Sequence, residues 1–246
     1  MSSHALLRSA GHRPWPLPKT PWIMLQTWHD LLFAHWPISP HLMRQHVPAE
    51  LPLDIWDGQA WMGIVPFHMS NVRLRWMPPL PALSAFPELN VRTYVTLHGK
   101  AGVYFFSLDA ASLPAVWGAR RFYHLPYYAA EMHVDVVGEC VTYSSRRKDS
   151  QAVFAASYGS GGGAQVARQD SLEYWLSERY CLYTVHRGRV YRGEIHHRPW
   201  ALARAGARFE QNTMAAAASI SLPPGTPLLH FAKRQDVLIW PLKRVV

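Results

Sequence analysis

The segment from Phe86 to Val95 reads FPELNVRTYV, in which Glu88, Asn90, Arg92 and Tyr94 alternate with Leu89, Val91, Thr93 and Val95. On a strand, residues two apart point the same way, roughly 7 Å from one another. One face of the segment is then ordinary core. The other carries an acid, an amide, a guanidinium and a phenol. Arginine binds a carboxylate at two points and fixes its orientation, while a partly buried glutamate or histidine can move a proton. Such a face suits the grip or transformation of a small organic anion. The bland reading of the same alternation is a half-buried strand showing its polar side to water. The neighbouring segment argues against it: His98 to Lys100 with Gly102 reads as a hairpin turn, and GVYFFSLDA beyond the turn is a strongly apolar strand. A water-facing stripe pairs poorly with so aromatic a neighbour. Glu88, Asn90, Arg92 and Tyr94 are therefore expected to line one enclosed cavity.

Two further segments supply groups for that cavity. GARRFYHLPYYAA, from Gly118 to Ala130, reads as a turn or short helix bearing Arg120, Arg121, His124, Tyr127 and Tyr128. ECVTYSSRR reads as a strand, with Tyr143, Ser145 and Arg147 on one face by parity. Glu88, Tyr127 and His124 are the candidate catalytic residues. Asn90, Arg92, Tyr94, Arg121 and Arg147 are the candidate substrate-binding residues. For Glu88 and Arg92 the alternative is a buried ion pair, and for Tyr127 a place in the core; the site rests on convergence in space.

Other chemistries find less support. The chain has 14 histidines, but no HExxH or CxxC, and the adjacent His196 and His197 point to opposite faces of a strand. No metal site and no cofactor are expected. Gly159-Ser160-Gly161 lacks the Gly-x-Ser-x-Gly pattern of a serine hydrolase. GSGGGAQ lacks the lysine that ends a phosphate loop, and reads as a hairpin tip.

The elements that must position these residues are mostly strands. Ser39 and Pro40 start a short helix carrying Leu42, Met43 and Val47, which Pro48 ends. LPLDIW, Asp57-Gly58 and QAWMGIVPF read as a hairpin. The proline-rich stretch 77–87 reads as an ordered loop able to form a wall or lid. Asp170 with Glu173 forms a capping box for a helix whose stripe is Leu172, Trp175, Leu176 and Arg179. MHVDVV, YCLYTVH, RVYRGEI and DVLIWPL are strands. Many strands without regular βαβ alternation predict an antiparallel β-barrel or wrapped sheet, β-rich α+β in class, with a few flanking helices.

The 246 residues, 49% of them hydrophobic, suffice for one sizeable domain, expected over residues 21–246 after a flexible tail at 1–20. The opening stretch has no continuous apolar region of signal-peptide type, and no run is long enough to span a bilayer. With only Cys140 and Cys181, a disulfide framework is not expected. The expected compartment is the cytoplasm, with no membrane partner. The charge of +9 comes mainly from arginines in small scattered groups, and no nucleic-acid-binding signature accompanies them. The expected partner is a small anionic organic molecule rather than nucleic acid; a homo-oligomer is left open.

Several blocks in order carry a family resemblance. HDLLFAHWPISPHLMRQHVPAELPLDIWDGQAWMGIVPF, FPELNVRTYV, GVYFFSLDA, RRFYHLPYY, YSSRR, SLEYWLSERYCLY and IHHRPW resemble successive blocks of the YqjF-like family of uncharacterised bacterial proteins (domain of unknown function 2071), over roughly Trp22 to Trp200. The resemblance implies a fold similar to acetoacetate decarboxylase, a β-barrel around a small pocket. Phe86-Pro87-Glu88 looks like the block that gives the decarboxylase a pocket glutamate. The decarboxylase also carries a Schiff-base lysine after a proline. Here Tyr127 follows Pro126 in the similar block, and a phenol cannot form an imine with a ketone. The resemblance thus implies the pocket without Schiff-base decarboxylation. Acid/base chemistry of lyase or isomerase type is one expectation, and non-catalytic binding of a small molecule is the other.

Overall fold

The computed structural model describes residues 3–80 and 84–246. Chain order is α1 (Ser3–Arg8), β1 (Met24–Ile38), α2 (Pro40–Arg44), β2 (Ala60–Leu74), β3 (Phe86–Leu97), β4 (Lys100–Ala110) and α3 (Leu113–Gly118). A π-turn at Ala119–Tyr123 comes next, then β5 (Tyr127–Val137), β6 (Cys140–Arg147), β7 (Val153–Ser160), β8 (Gln165–Val166), α4 (Leu172–Ser177), β9 (Cys181–His186), β10 (Arg189–His196), β11 (Ala201–Asn212) and β12 (Leu228–Arg244).

The strands pair in the order β3-β2-β1-β12-β10-β9-β4-β5-β6-β7-β11-β8, and further pairings join β3 to β4 and β12 to β11. The sheet therefore closes on itself in two places instead of forming one regular antiparallel barrel. One circuit runs through β3, β2, β1, β12, β10, β9 and β4. A second leaves β4 through β5, β6, β7 and β11 and returns to β12. Two pairings, β4 with β5 and β4 with β9, are parallel in a sheet whose other pairings are antiparallel. The residues joining β4 to β5 include α3, the kind of crossover that parallel neighbours need.

The β1–β4 meander is shared by both circuits, and so both of its faces are covered. Leu32, Ala34 and Trp36 pack with Leu89, Val91, Tyr143 and Phe154 in the main core. Leu31 and Phe33 pack with Val65, Phe67, Phe86 and Trp200 in a second cluster. A strand buried on both faces loses its alternation, and β1 is buried without a break from Asp30 to Trp36.

Residues before β1, from Ser3 on, are tied to the sheet. Leu6 of α1 packs with Trp22, Leu25, Leu238 and Trp240. His196 Nε2 lies 3.0 Å from the Leu6 carbonyl oxygen. Arg13 donates to the Ile195 carbonyl and to Glu194, at 2.6 and 3.2 Å. The apolar residues scattered among the prolines thus have a place to be buried. The hairpin expected around Asp57-Gly58 shrinks to a tight turn closed by a single bridge, Trp56 to Gln59. Asp57 and Gly58 both have positive φ, as such a turn requires. Apart from that turn, LPLDIW contributes an isolated bridge from Leu53 to Val95 and no strand, because β1 and β3 already occupy both sides of β2. α4 is capped by Ser171, whose hydroxyl accepts from the Tyr174 N–H, and not by Asp170. It ends at Ser177, so Arg179 lies beyond the helix. In the proline-rich stretch Met77 and Leu80 are exposed and Phe86 and Pro87 belong to β3. Residues 81–83 lie outside the described residues, and with them the middle of the expected lid.

Candidate functional site

Inside the circuit of β1, β2, β3, β4, β9, β10 and β12 lies a cavity of about 440 Å³, with α3 and the π-turn over one side. Its walls are largely apolar, including Trp28, Phe33, Phe67, Met69, Phe105 and Trp200. Glu88, Asn90, Arg92, Tyr127, Arg179 and His197 interrupt them. Strand parity delivers Glu88, Asn90 and Arg92 to one face, as the alternation predicts. On β4 a bulge opposite Val91 and Arg92 shifts the register, so that Phe105 pairs with Arg92 while Leu108 pairs with Asn90. Phe105 and Leu108 consequently both face the cavity, which unbroken parity would forbid.

At one end, Tyr127 donates a 2.7 Å hydrogen bond to Glu88 Oε2. Both side chains reach this contact through ladder pairing: Glu88 is opposite Ala110 on β4, and Leu108 on the same face is opposite Tyr127 on β5. The Tyr143 hydroxyl, 2.8 Å from the Glu88 carbonyl oxygen, supports the strand from the other face. Burial pushes the Glu88 carboxyl up to about 7; the Tyr127 hydrogen bond opposes that rise and nearby Asp109 adds to it. A carboxyl at that value exchanges its proton readily near neutral pH. Burial and the Glu88 charge hold Tyr127 well above the usual phenol value. It therefore stays neutral and acts as a donor.

The other end is cationic. Arg92 Nη2 lies 3.5 Å from the Tyr94 hydroxyl oxygen, and that hydroxyl is 2.7 Å from His35 Nε2. Arg179, placed by the sharp turn after α4, covers the rings of Tyr94 and Trp175 at 4.8 and 4.4 Å. Its Nε donates to the Trp175 carbonyl and its Nη1 to Asp54. Tyr94 itself is fully buried beneath the cavity and is not part of its wall. It acts as the spacer between two guanidiniums. Gly63, paired with both His35 and Arg92, leaves the room they need, since a Cβ there would meet them at 3.2 and 3.3 Å. Asn90 Oδ1, Arg92 Nε and Arg179 Nη2 are buried without a hydrogen-bond partner among the described residues. Arg92 has no carboxylate partner among them either. The expected alternative, a Glu88–Arg92 ion pair, is absent because Glu88 is turned to Tyr127. Polar groups left in this state in a roomy cavity favour an anion that accepts from both arginines.

Three of the sequence-derived candidates lie elsewhere. His124 and Arg121 stand on the outside, on a cleft separated from the cavity by Phe105 and Leu125. The π-turn directs them outward, and His124 ends it in the left-handed region at φ 50°. Arg147 shares its face with Tyr143 and Ser145, as parity predicts, but it is the face turned to the main core. It is opposite Ala130, two residues from Tyr128, and so points away from Tyr127. There it donates to Asp109 at 2.7 Å and stacks on Tyr128. Sequence reasoning missed Arg179 and His197. Arg179 fitted a helical stripe, and only the early end of α4 frees it for the cavity. His197, with its pKa pushed down to about 4 chiefly by burial, is a neutral wall residue whose ring nitrogens face the carbonyls of Arg198 and Arg179. No lysine is among the described cavity-lining residues.

Comparison with known proteins agrees with this architecture. The family described as "Uncharacterized conserved protein", DUF2071, matches residues 25–236. The uncharacterized protein YqjF of Bacillus subtilis is 51% identical over 229 residues, covering 93% of this chain and 95% of that protein. An acetoacetate decarboxylase from Legionella pneumophila superposes with a TM-score of 0.65 at 12% identity, covering 98% of this chain and 95% of that one. The enduracididine biosynthesis enzyme MppR, solved with pyruvate, superposes with a TM-score of 0.63 at 10% identity, covering 94% of this chain and 93% of that one. At such identities these two likenesses concern the fold.

Proposed function

The chain belongs to the DUF2071 family and has the acetoacetate-decarboxylase-like fold, and from that premise we propose that its cavity binds an oxo or hydroxy carboxylate and moves a proton on it. The observation that carries this reading is the division of the wall: two guanidiniums with unpartnered N–H groups at one end and the Glu88–Tyr127 pair at the other. In this reading Arg92 and Arg179 hold the carboxylate and Asn90 orients a neighbouring oxygen. Glu88, near half-protonated at neutral pH, takes or gives the proton at carbon or oxygen. Tyr127 steadies the charged form of Glu88 by donating to it, and is a positioning residue until a ligand touches it.

The largely apolar wall adds a condition on the ligand. Glu88 and Arg92 are four residues apart on β3, so their backbones stand roughly 13 Å from one another. An acid held by its carboxylate at Arg92 reaches Glu88 best through an apolar carbon body longer than that of acetoacetate. Imine chemistry is disfavoured, since the described residues of the cavity wall include a phenol and no lysine. One fold neighbour is an acetoacetate decarboxylase and another was solved with pyruvate, which supports an oxo acid as the first class to try.

The test is a panel of 2-oxo, 3-oxo and hydroxy acids of increasing chain length, screened by thermal shift, because a ligand specific for the folded state raises its apparent stability. Hits are then incubated in D₂O and their carbon-bound protons followed by NMR. Exchange that Glu88→Gln abolishes while binding persists supports proton transfer. A second reading, a non-catalytic binding protein, is favoured by the engagement of Glu88 Oε2 with Tyr127. Binding without exchange in the wild-type protein would select it, and the absence of any acid that binds would reject both.

A further inference from the structure

On the outer surface, Arg120, Arg121, Arg187 and Arg189 surround a cleft of about 620 Å³ whose floor is made by His124, His186 and Tyr191. Three chain segments build it: the π-turn after α3, the β9–β10 turn at Arg187-Gly188, and the start of β10. The β9–β10 turn has positive φ at both central residues, 51° and 69°, which fixes the two flanking side chains on a tight hairpin. His124 is held by a 2.7 Å hydrogen bond from Thr184 Oγ1 to its carbonyl. Its ring lies flat on that of His186, 4.0 Å away and 4° from parallel. Burial, and then His186, Arg121 and Arg187, keep the His124 pKa below the usual imidazole value.

The charge balance of this cleft is one-sided. Among the described residues no carboxylate lines it, and none of its four arginines takes part in an ion pair. Seven arginines elsewhere, Arg13, Arg147, Arg168, Arg179, Arg192, Arg208 and Arg234, have a carboxylate within ion-pair distance; what sets the cleft apart is that four unpaired arginines converge on one place. Four like charges brought together without a counter-charge repel one another, and an anion that bridges them relieves that repulsion. A single carboxylate engages one guanidinium fork; filling four in a cleft of this size takes several oxygens on one ligand.

We propose that this cleft is a second binding site, independent of the cavity, for a diphosphate-bearing small molecule. Arg187 and Arg189 come from one wall and Arg120 and Arg121 from the other, so the phosphates sit between two pairs of guanidinium forks. The stacked imidazoles and Tyr191 form the floor, against which a flat ring attached to the phosphates can lie.

The experiment titrates the full chain with inorganic pyrophosphate and, separately, with ADP, by calorimetry at constant ionic strength set with sodium chloride. Saturable pyrophosphate binding is expected, weakened about tenfold or more in the double variant Arg187→Ser, Arg189→Ser, since each removes a charge-assisted contact. Both residues are exposed, so the variant should fold, with a melting temperature equal to or above that of the wild type as the repulsion eases. A control variant, Arg168→Ser with Arg208→Ser, removes two exposed arginines elsewhere and should bind as the wild type does. ADP binding tighter than pyrophosphate assigns the imidazole and phenol floor to a base, and equal affinity confines recognition to the phosphates; both uphold the site. Absence of saturable binding, or binding that survives in the Arg187, Arg189 variant, overturns it.

Discussion

Replacing Glu88 by Gln keeps the side chain's shape and its acceptor for Tyr127, and removes one ionisation. Burial raises the Glu88 carboxyl from an ordinary 4.5 to about 7. At about 1.4 kcal/mol per pH unit, the ionised group is destabilised inside the fold by about 3 kcal/mol relative to the unfolded chain. The sign comes from proton counting. Between pH 4.5 and 7 the folded protein keeps the proton that the unfolded chain has lost. Stability from this group is therefore complete below 4.5 and is lost as pH rises through 7. His196 and His197, both pushed down to about 4 mainly by burial, act in the opposite direction, adding stability as pH rises from about 4 to the ordinary histidine value. They are present in both proteins, so the difference between variant and wild type isolates Glu88. Urea denaturation at pH 5, 6, 7 and 8 should show Glu88→Gln gaining on the wild type by about 2–3 kcal/mol across the series. Two stability profiles that stay parallel to within about 0.5 kcal/mol would refute the buried, proton-holding carboxyl and with it the assigned acid/base role.

At the cationic end, Arg92→Lys should weaken carboxylate binding in calorimetry despite keeping the charge, because an ammonium cannot reproduce the planar two-point contact. Arg92→Ala should abolish binding while lowering stability by less than about 1 kcal/mol, since no buried acid is stranded; Asp109→Ala, which strands Arg147, should lower it by about 3–5 kcal/mol in the same denaturation assay. Borohydride added with 2-oxo or 3-oxo acids should leave the intact mass unchanged, and a stoichiometric adduct on any lysine would overturn the exclusion of Schiff-base chemistry. Gly102→Ala should lower stability by about 1–3 kcal/mol in thermal denaturation, because its Cβ would lie 2.6 Å from the Cys181 carbonyl oxygen where β4 meets β9.

The period-two pattern of FPELNVRTYV determined which residues of β3 share a face, because side-chain direction on a strand is a local property of the backbone. The same locality made the Asp57-Gly58 and His98-Gly99 turns legible, and parity placed Tyr143, Ser145 and Arg147 together. Which of two buried faces a set belongs to was not local. Arg147 and Tyr127 lie on adjacent parts of the sheet, yet register between β5 and β6 sends one to the core against Asp109 and the other to Glu88. The bulge that brings both Phe105 and Leu108 to the cavity, and the early end of α4 that releases Arg179, likewise depend on partners distant in the chain. His124 and Arg121 show the same limit: their composition suited an anion site, but the direction of the π-turn put them on the outer cleft and not in the cavity. Sequence by itself determined the local conformation and the chemistry available on each strand face; the closure of the sheet into two circuits decided which faces meet, because strand pairing between remote segments is set by the packing of the whole core.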